Sequence, residues 1–531
     1  MSIRVNNLVL SLEEDTSKLL DKAAEKLKIS KEHISKINIL KQSIDARKKD
    51  NIRFNYSVEV FSENEKKITS KLKDKDILLY SSDIEEDIVF GSKKLNSRPV
   101  VVGMGPAGMF CALELSKRGY RPIVIERGEA VEDRTETVEN FWETGVLNPE
   151  SNVQFGEGGA GTFSDGKLTT RIKDKRCDYV LKEFVRCGAP ENIIYSGKPH
   201  IGTDILKIVV KNIREEIKKF GGEILFSHKL EDILINNNSI KSIIVNNTEM
   251  PCEVLVLAIG HSSRDTYEML YKRNIFMEPK PFAIGLRIEH SQKLININQF
   301  GKYADHPRLG AADYRLAHTC KSTGRGVYSF CMCPGGTVVS ASSEENRLVT
   351  NGMSDYSRDK DNSNSAIVVT VNKEDFLNDS PLSGVEYQRH FESLAFKTGG
   401  GGYIAPIQLA GDFINDKVSK KLGNIEPTYK PGYAFADLKK CLPEYVSTSL
   451  KEGLVEFDKK IKNFSDNNSI LTGIETRTSA PVKLTRNEKL QSISLGGLYP
   501  TGEGAGFAGG IISAAVDGIK CAESIMTDFS A

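Results

Sequence analysis

The hydrophobic and polar positions divide the chain into a front part and a longer main part. Between residues 5 and 60, apolar residues alternate with polar ones or recur at helical spacing, which is typical of a small mixed domain with one exposed face. The main part instead contains short unbroken apolar runs, at 100–102, 122–125 and 254–258. Such runs, where they stop at glycines, predict buried strands of a parallel sheet. The pattern predicts an α/β fold behind a small α+β domain.

Residues 98–128 combine two of these strands with a glycine turn and a helix. In the turn, GMGPAG, the first glycine permits the tight bend, the second lets the backbone approach a pyrophosphate, and the third lets the helix pack on the strand. Free amides at the start of the helix receive the phosphates. An acidic residue stands 18 positions after the last glycine, near the place of a ribose-binding carboxylate. The segment predicts dinucleotide binding by Gly103, Gly105, Pro106, Ala107, Gly108 and Glu126.

The order of the later segments favours FAD over NAD as the bound dinucleotide. A helix, a strand and a meander precede an apolar strand that ends in Ala258-Ile-Gly260, as in flavoproteins with two dinucleotide-binding domains. The segment GLYPTGEGAGFAGGI then predicts a helix near Gly509 whose positive end faces the N1–C2=O edge of the isoalloxazine ring. There is no second GxGxxG, so NAD(P)H is expected only as a transient electron donor. Since no cysteine or histidine lies in a flavin-linkage motif, we expect non-covalent FAD.

Further cofactor contacts are expected from the glycine-rich stretch 156–168. Because glycine has no side chain, such a stretch lets the backbone approach a ligand closely, and we place this loop over the flavin. With the segments above, the remaining expected FAD contacts are Arg127, Arg134, Gly158, Gly159, Ala160, Gly161, Thr162, Ser164, Lys167, Leu168, Leu230, Ala258, Gly260, Gly502, Glu503, Gly509, Gly510 and Ile511.

These patterns divide the chain into domains. Residues 1–92 form a small N-terminal α+β domain, with a polar linker at 83–97. Residues 96–265 and 475–531 supply the two parts of a Rossmann-type FAD-binding domain. Residues 266–474 are inserted between those parts and are expected to form the substrate or cap domain.

Composition and charge exclude several classes of function. Acidic and basic residues nearly balance, 71 against 72, so the net charge is +1 and no basic surface for nucleic acid or anionic membrane is indicated. The first residues form no apolar signal segment, no run approaches the length of a membrane span, and the nine cysteines include no CxxC pair. We therefore expect a cytoplasmic protein with a small-molecule substrate, without a metal site and without a nucleic-acid or membrane partner. The oligomeric state stays open.

Several segments resemble one known bacterial family. They are VVGMGPAGMF, FGEGGAGTFSDGKL, AIGHSSRDT, PFAIGLRIEH, GRGVYSFCMCPGG, TNGMS, ETRTSAP and GLYPTGEGAGFAGGI. The family is that of the uncharacterised FAD-dependent dehydrogenases, in its long form with a small N-terminal domain. The resemblance implies an FAD-binding fold similar to glutathione reductase or p-hydroxybenzoate hydroxylase, with an inserted α+β substrate domain. It supplies no reaction, because fold-level analogy carries little about chemistry.

Cys331 and Cys333 are the first candidates for chemistry beside a flavin. In a regular strand their Cβ atoms point to one face and lie about 6–7 Å apart, against the roughly 3.5–4.5 Å that a disulfide needs. Only a turn, which Pro334 and the following glycines favour, would bring the two thiols close enough for a disulfide. Three alternatives stay open: a redox disulfide, one catalytic or substrate-contacting thiol, and buried packing.

Arg287 and Lys167 complete the set of catalytic candidates. Arg287 is suited to clamp a carboxylate or the flavin pyrophosphate, and a salt bridge at a domain junction is the alternative. It is expected to converge with Cys333 and Tyr328 from two strands that are neighbours in one sheet. Lys167, in the loop over the flavin, is suited to tune the potential of the cofactor, unless it points into solvent.

The function predicted from these features is that of an FAD-dependent oxidoreductase acting on a small organic substrate between two domains. One alternative is an NAD(P)H-dependent flavin monooxygenase. The hydroxylase sequence Gly-Asp-Ala-Ala-His is here Gly502-Glu-Gly-Ala-Gly506, which lowers that option. Another alternative is a flavoprotein that uses its N-terminal domain as an adaptor or in nucleic-acid modification, against which the balanced charge argues.

Overall fold

The computed structural model describes residues 1–80 and 89–531. Residues 83–88 of the predicted linker lie outside the described residues. The front part consists of β1 (Ser2–Ser11), α1 (Lys18–Leu27), β2 (Ile34–Asp45), β3 (Arg53–Ser62), α2 (Glu65–Lys71) and β4 (Ile77–Tyr80). Its strands form one antiparallel sheet in the order β2-β3-β1-β4, with the buried face of β3 alternating as its sequence predicts.

The FAD-binding domain begins with a short strand and continues through the predicted strand-turn-helix-strand unit. Its first set of elements is β5 (Lys93–Lys94), β6 (Val100–Val102), α3 (Pro106–Lys117), β7 (Ile123–Glu126), α4 (Val131–Thr144), α5 (Arg176–Arg186), α6 (Gly202–Lys219), β8 (Glu223–Phe226), β9 (Leu230–Asn236), β10 (Ser239–Val245), β11 (Thr248–Pro251), β12 (Leu255–Leu257) and α7 (Arg264–Lys272). Strands β9 to β11 form the predicted meander.

The inserted part, called the cap, is built on a mixed sheet. Its elements are β13 (Glu278–Pro279), β14 (Phe282–Ser291), α8 (Gln292–Phe300), β15 (Ala317–Thr319), β16 (Gly326–Cys333), β17 (Thr337–Ser340), β18 (Thr350–Met353), β19 (Asn362–Val371), α9 (Ser383–Thr398), β20 (Ala405–Leu409), α10 (Ala410–Ile414), β21 (Tyr433–Phe435), α11 (Glu444–Asp458) and β22 (Ile470–Glu475). Seven strands lie in the order β15-β16-β19-β14-β22-β20-β21. The expectation that the strands of Arg287 and Cys333 are neighbours is wrong, because β19 pairs with both and separates them.

The last segment returns to the FAD-binding domain. It contains β23 (Val482–Lys483), β24 (Leu498–Pro500), α12 (Ile511–Asp528) and β25 (Phe529–Ser530). The resulting sheet is fully parallel, in the order β24-β12-β6-β7-β8, and α12 packs on α3. The third glycine of the turn lets α3 pack closely on the turn after β6, since a Cβ at Gly108 would lie 1.9 Å from the carbonyl oxygen of Gly103. The strand order is that of a Rossmann-type α/β domain.

The front domain is packed against both other parts. Its buried residues, Phe54 among them, belong to one continuous apolar cluster with those of the cap. The Arg308 guanidinium of the cap lies 4.7 Å from the centre of the Phe54 ring and donates to the carbonyl oxygens of Leu12 and Glu14, each at 2.6 Å. Strand β2 meets the loop at 195–197 through two backbone hydrogen bonds of Gln42. The front domain therefore supports the cap and one loop of the FAD-binding domain.

Candidate functional site

A cavity of about 1040 Å³ opens between the parallel sheet and the cap. The strands β6, β7 and β12 contribute Val102, Glu126 and Ala258 to its lining, and these residues stand at or just beyond their carboxyl ends. Ligands of open α/β sheets bind at this edge. The volume is at the upper end of the range for small-molecule and cofactor sites.

Two walls of this cavity differ in composition. The glycine wall consists of the turn at 103–107, the loop at 156–167 and residues 509–511 at the start of α12. The cap wall consists of residues 313–315 and 329–332 with their neighbours on β18. The cavity is therefore shared between the FAD-binding domain and the cap, as the predicted substrate pocket requires.

Most of the residues expected to contact FAD line the cavity. They are Gly103, Gly105, Pro106, Ala107, Glu126, Arg127, Gly159, Ala160, Gly161, Ser164, Lys167, Leu230, Ala258, Gly260, Glu503, Gly509, Gly510 and Ile511. A Cβ at Gly105 would meet only the Cα of Gly159, at 3.8 Å, so the backbone leaves open space where a pyrophosphate would lie. The glycine wall therefore fits a dinucleotide such as FAD.

Six expected contacts lie outside the lining and support it instead: Gly108, Arg134, Gly158, Thr162, Leu168 and Gly502. Arg134 shows the reason most clearly. It is fully buried, and its guanidinium donates to the carbonyl oxygens of Asn152, Val153, Glu157 and Gly159. Arg134 therefore shapes the glycine-rich loop and does not face the ligand.

Glu126 is held at the cavity edge by backbone amides. Its Oε2 accepts from the Met104 amide at 2.8 Å, and its Oε1 accepts from the amides of Gly128 and Gly156 at 2.9 and 3.0 Å. A carboxylate has about four acceptor sites, so one stays available on Oε2 for a ribose hydroxyl. The side chain thus orders the turn and still fits the predicted ribose contact.

Arg127 lies beside Glu126 in the lining, but its charge is already compensated. The guanidinium pairs with both oxygens of Asp265 at 2.9 Å, donates to Glu150 at 2.7 Å, and stacks 4.2 Å from the centre of the Phe155 ring. An apolar and stacking contact with a nucleotide is therefore better supported than a phosphate contact.

Helix α12 presents its N-terminus to the cavity. Gly510 precedes it with φ +137° and ψ 164°, a conformation that favours glycine. A Cβ at Gly509 would meet no atom within 4 Å, so this end of the helix is sterically open. The first amides of the helix and its positive dipole end are suited to a carbonyl or an anionic edge of a ring.

On the cap wall, β16 departs from regular geometry at the two cysteines. Its pairing with β19 shifts between Phe330 and Cys333, and Cys331 has φ +45°, which is rare for a residue with a side chain. The Cys331 side chain lines the cavity, whereas Cys333 is fully buried and does not. The Cys333 thiol turns back to donate to the Cys331 carbonyl oxygen at 3.3 Å. The separation expected for a regular strand therefore does not apply to this pair.

Lys167 connects the two walls. Its ammonium donates to the Asp165 carboxylate and to the Met332 carbonyl oxygen, which lies between the two cysteines in sequence. Asp165 also accepts from the Arg358 guanidinium at 2.9 Å, so it is shared between two cations. Burial acts to lower the pKa of Lys167, but Asp165 and the nearby thiols outweigh it and the pKa is raised. Lys167 is therefore a fixed positive charge beside the thiols.

Arg287 does not line the cavity. Its guanidinium is fully buried and pairs with Glu475 through bonds of 3.0 and 2.9 Å, while Nη1 donates to Asn364 at 2.7 Å and to the Cys331 carbonyl oxygen at 3.3 Å. Tyr328 also lies outside the lining. Of the alternatives stated for Arg287, the structure shows the salt bridge. Arg287 is joined to the lining through its partners Glu475, Asn351 and Cys331.

Three residues of the lining were not assigned a chemical role from the sequence. Burial raises the pKa of the Glu503 carboxyl to about 7, only partly offset by Lys280. Arg477 lines the cavity but is held by Glu392 at 3.1 Å. Arg315 lines it from the cap wall and makes no hydrogen bond or ion pair with any residue that the structure describes. Glu503 was named only as an expected FAD contact, and Arg477 lies in the segment ETRTSAP without an assigned role. Only tertiary packing distinguishes these two charges and that of Arg315 from others in the chain.

His318, Cys320 and Glu452 come together away from the cavity, with ligand atoms within 4.8 Å of one another. The Glu452 carboxylate accepts from the backbone amides of Lys321 and Ser322 at 2.7 and 3.1 Å. Protein donors thus already occupy this carboxylate. Across residues 1–80 and 89–531, no helix has the length and apolar character to cross a membrane.

Two family models match the chain. One described as "FAD-dependent protein, C-terminal domain-like" covers residues 281–478, and a domain of unknown function covers residues 2–61. A ribosomal RNA dihydrouridine synthase of Haemophilus influenzae is 22% identical over 180 residues, which are 31% of this chain and 40% of that protein.

Solved structures also match, with low scores. CtdE in complex with FAD is 10% identical, with 79% of this chain and 81% of that chain covered and a TM-score of 0.29. A glycine oxidase of Bacillus cereus is 12% identical, with 81% and 95% covered and a TM-score of 0.30. An oxidoreductase of Methanosarcina mazei is 12% identical, with 79% and 98% covered and a TM-score of 0.34. Scores this low add nothing to the strand order described above.

One relative matches from end to end. An uncharacterised protein of Clostridium beijerinckii is 61% identical over 529 residues, covering 100% of this chain and 99% of that protein. The family resemblance stated from the sequence is confirmed by this match together with that of the cap segment. The chain therefore belongs to the uncharacterised bacterial FAD-dependent family that includes the Clostridium beijerinckii protein.

Proposed function

We propose that this protein is an FAD-dependent oxidoreductase that binds FAD non-covalently and acts on a small organic substrate. The observation that carries the proposal is the shared cavity, which is lined by the fingerprint glycines on one side and by Cys331 on the other. A dinucleotide along the glycine wall would bring its reactive ring toward the start of α12. The cap wall then covers the space in which a substrate would react.

The residues of the chain supply binding, orientation and charge. Gly103, Gly105 and Glu126 would hold the pyrophosphate and ribose, and the amides at the start of α12 would hold the ring. The flavin would supply the hydride chemistry. The cap would limit the access of water to that space, and a drier site strengthens every charge inside it. Arg315 is the cation best placed to bind an anionic group of the substrate, since it has no partner among the described residues.

The test is to purify the protein and to measure its visible spectrum, its flavin content after heat release, and its reduction by NADH and by NADPH in a stopped-flow instrument. We expect one FAD per chain, released intact by denaturation. Colourless protein that takes up no added FAD contradicts the proposal. Following oxygen during reduction tests the monooxygenase alternative, which requires oxygen consumption stimulated by an aromatic substrate.

One comparison favours a second candidate, the reduction of uracil bases in RNA. The Haemophilus influenzae protein that matches 31% of this chain is a ribosomal RNA dihydrouridine synthase. The near-neutral charge of the chain argues against a large RNA contact. Incubation with reduced FAD and uridine-containing ribosomal RNA, followed by nucleoside mass spectrometry, decides between the two. Dihydrouridine formation would favour this candidate over a small free substrate.

A further inference from the structure

The thiols of Cys331 and Cys333 have different positions and a common environment. Cys331 is open to the cavity and Cys333 lies behind it, with its thiol 3.3 Å from the Cys331 carbonyl oxygen. The left-handed backbone at Cys331 produces this arrangement, because it bends β16 where a regular strand would keep the two side chains apart. Strained backbone at a cavity wall is often kept for function.

We propose that Cys331 and Cys333 are a redox-active dithiol that reduces a small anionic disulfide, with Cys331 as the attacking thiol and Cys333 as the resolving thiol. This inference rests on the proposed function in one respect, because reduced FAD is the reductant that restores the dithiol. It goes further than the proposed function by naming the class of substrate that reacts in the same cavity.

The surroundings of Cys331 favour the thiolate. Its pKa is lowered first by the hydrogen bond from Cys333 and then by the positive charges of Lys167 and Arg287, against the effect of burial. The pKa of Cys333 is raised by the same contact and by burial, so it keeps its proton until Cys331 has reacted. A thiolate is the nucleophile in disulfide exchange. Among the described residues, the charged and titratable groups that face the pair are Lys167, Arg287, Asp165, Glu475, Glu503 and Tyr314.

The reaction balances in two exchanges. The Cys331 thiolate attacks one sulfur of the substrate disulfide, whose S–S bond breaks as a mixed disulfide forms, and the departing thiolate takes a proton from solvent. Cys333 then loses its proton and attacks the Cys331 sulfur, so that the mixed disulfide breaks and the second thiolate leaves with that proton. The substrate gains two electrons and the dithiol loses two. Two electrons and one proton restore the pair, which is the hydride equivalent that a reduced flavin supplies.

Positive charge in the cavity lining selects the substrate class. Arg315 belongs to the cavity lining, is exposed and has no hydrogen-bond or ion-pair partner among the described residues, and Lys198 lies on the same lining. Lys198 is paired with Asp313 at 2.6 Å, so Arg315 is the cation left for a ligand. A disulfide that carries carboxylates meets this charge, whereas a cationic disulfide is repelled. Glutathione disulfide and cystamine are therefore the matched anionic and cationic probes.

The first experiment measures the alkylation rate of single cysteines in the full protein between pH 5 and 9, with iodoacetamide and peptide mapping. Cys177 on α5 is the internal control, because it is partly exposed and burial raises its pKa. We expect the midpoint for Cys331 to lie at least about 1 pH unit below the ordinary thiol value of about 8.5. A Cys331 midpoint equal to that of Cys177 or higher overturns the proposal.

The second experiment exposes the protein to glutathione disulfide, quenches with acid and maps the products. We expect a Cys331–Cys333 disulfide in the wild type and a Cys331–glutathione mixed disulfide in Cys333→Ser. Arg315→Gln should slow the reaction about tenfold with glutathione disulfide and leave cystamine unaffected. The wild-type measurement stands if a variant fails to fold. Absence of the 331–333 disulfide, or modification of another cysteine instead, overturns the proposal.

Flavin absorbance, recorded on the same samples, separates this proposal from the proposed function. Flavin-free protein that still forms the disulfide keeps the dithiol and removes the assignment of an FAD-dependent oxidoreductase. Flavin-loaded protein that forms no disulfide keeps the oxidoreductase and removes the dithiol.

Discussion

The two walls of the cavity differ in the groups that they present and in the role that these groups suit. The glycine wall is backbone, with few side chains and with amides available at the turn and at the start of α12. The cap wall carries a strained residue, Cys331, with charges arranged behind it. Backbone amides suit a large cofactor that stays bound, because they bind many atoms without moving. Positioned side chains suit a reacting group, because they shift its protonation state.

The largest predicted effect concerns what supports the cap wall. Deleting residues 1–92 exposes the apolar cluster that the front domain shares with the cap and removes the partners of Arg308. The polar linker predicted at 83–97 leads to the expectation that the truncated protein folds and keeps its flavin. The structure instead leads us to expect insoluble protein or a lost cooperative transition, measured by thermal unfolding. Arg47→Ala, on the exposed hairpin, is the control that should leave unfolding unchanged.

A substitution in the glycine wall should abolish cofactor binding without unfolding the domain. In Gly105→Val the new side chain enters the space beside Gly159 that the pyrophosphate needs, while the backbone at 105 meets no clash. We expect FAD affinity to fall roughly 1,000-fold, about 4 kcal/mol, by fluorescence titration. Gly326→Ala, whose Cβ would meet only the Thr370 hydroxyl at 3.7 Å, is the control. Full flavin occupancy in Gly105→Val would remove this turn from the cofactor site.

Glu503, in the lining of the cavity, should give a measurable pH dependence of stability. Burial raises the pKa of Glu503 from 4.5 to about 7, so the folded state holds a proton that the unfolded chain releases in this range. The contribution of Glu503 to the free energy of unfolding therefore falls as pH rises from 4.5 to 7. We expect Glu503→Gln to reduce that fall by about 1–2 kcal/mol. This is less than the full pKa shift corresponds to, because the side chain is partly open to the cavity and solvent screens its charge. Urea unfolding at pH 5 and pH 8 measures the free energy of unfolding of the wild type and the variant. If the difference between the two pH values is the same in both proteins, the prediction is wrong.

The smallest effect sharpens the contrast at Cys331. Lys167→Met removes the ammonium group that extends from the glycine wall to the cap wall, so the Cys331 thiolate loses a nearby positive charge. We expect the alkylation midpoint of Cys331 to rise by roughly 1 pH unit. Because Lys167 is also an expected FAD contact, FAD occupancy is recorded on the same variant. The midpoint of Cys177 should not move. A drop in the Cys331 midpoint would show that Lys167 acts through structure and not through its charge.

The strand-turn-helix-strand of the FAD-binding domain could be predicted because its requirements are local. The glycines of GMGPAG and the flanking apolar runs are consecutive, and β6, α3 and β7 occur where that pattern puts them. The parts that could not be predicted depend on distant partners. The burial of Arg287 depends on Glu475, 188 residues later, and the bend at Cys331 depends on β19. The packing of the front domain likewise depends on cap residues such as Arg308.

The position of β24 in the parallel sheet has a consequence for biosynthesis. This strand lies beside β12 in the sheet. The fingerprint unit, however, is complete at the end of β7 at Glu126, and 372 residues separate that point from the start of β24 at Leu498. At about 5–20 residues per second, a ribosome needs roughly 20–75 s to cover that distance. During this time the fingerprint turn exists without α12, and β12, once it has been made, waits for β24 on one side. The nascent chain thus acquires its complete cofactor site late, in one step that joins the two ends of the domain.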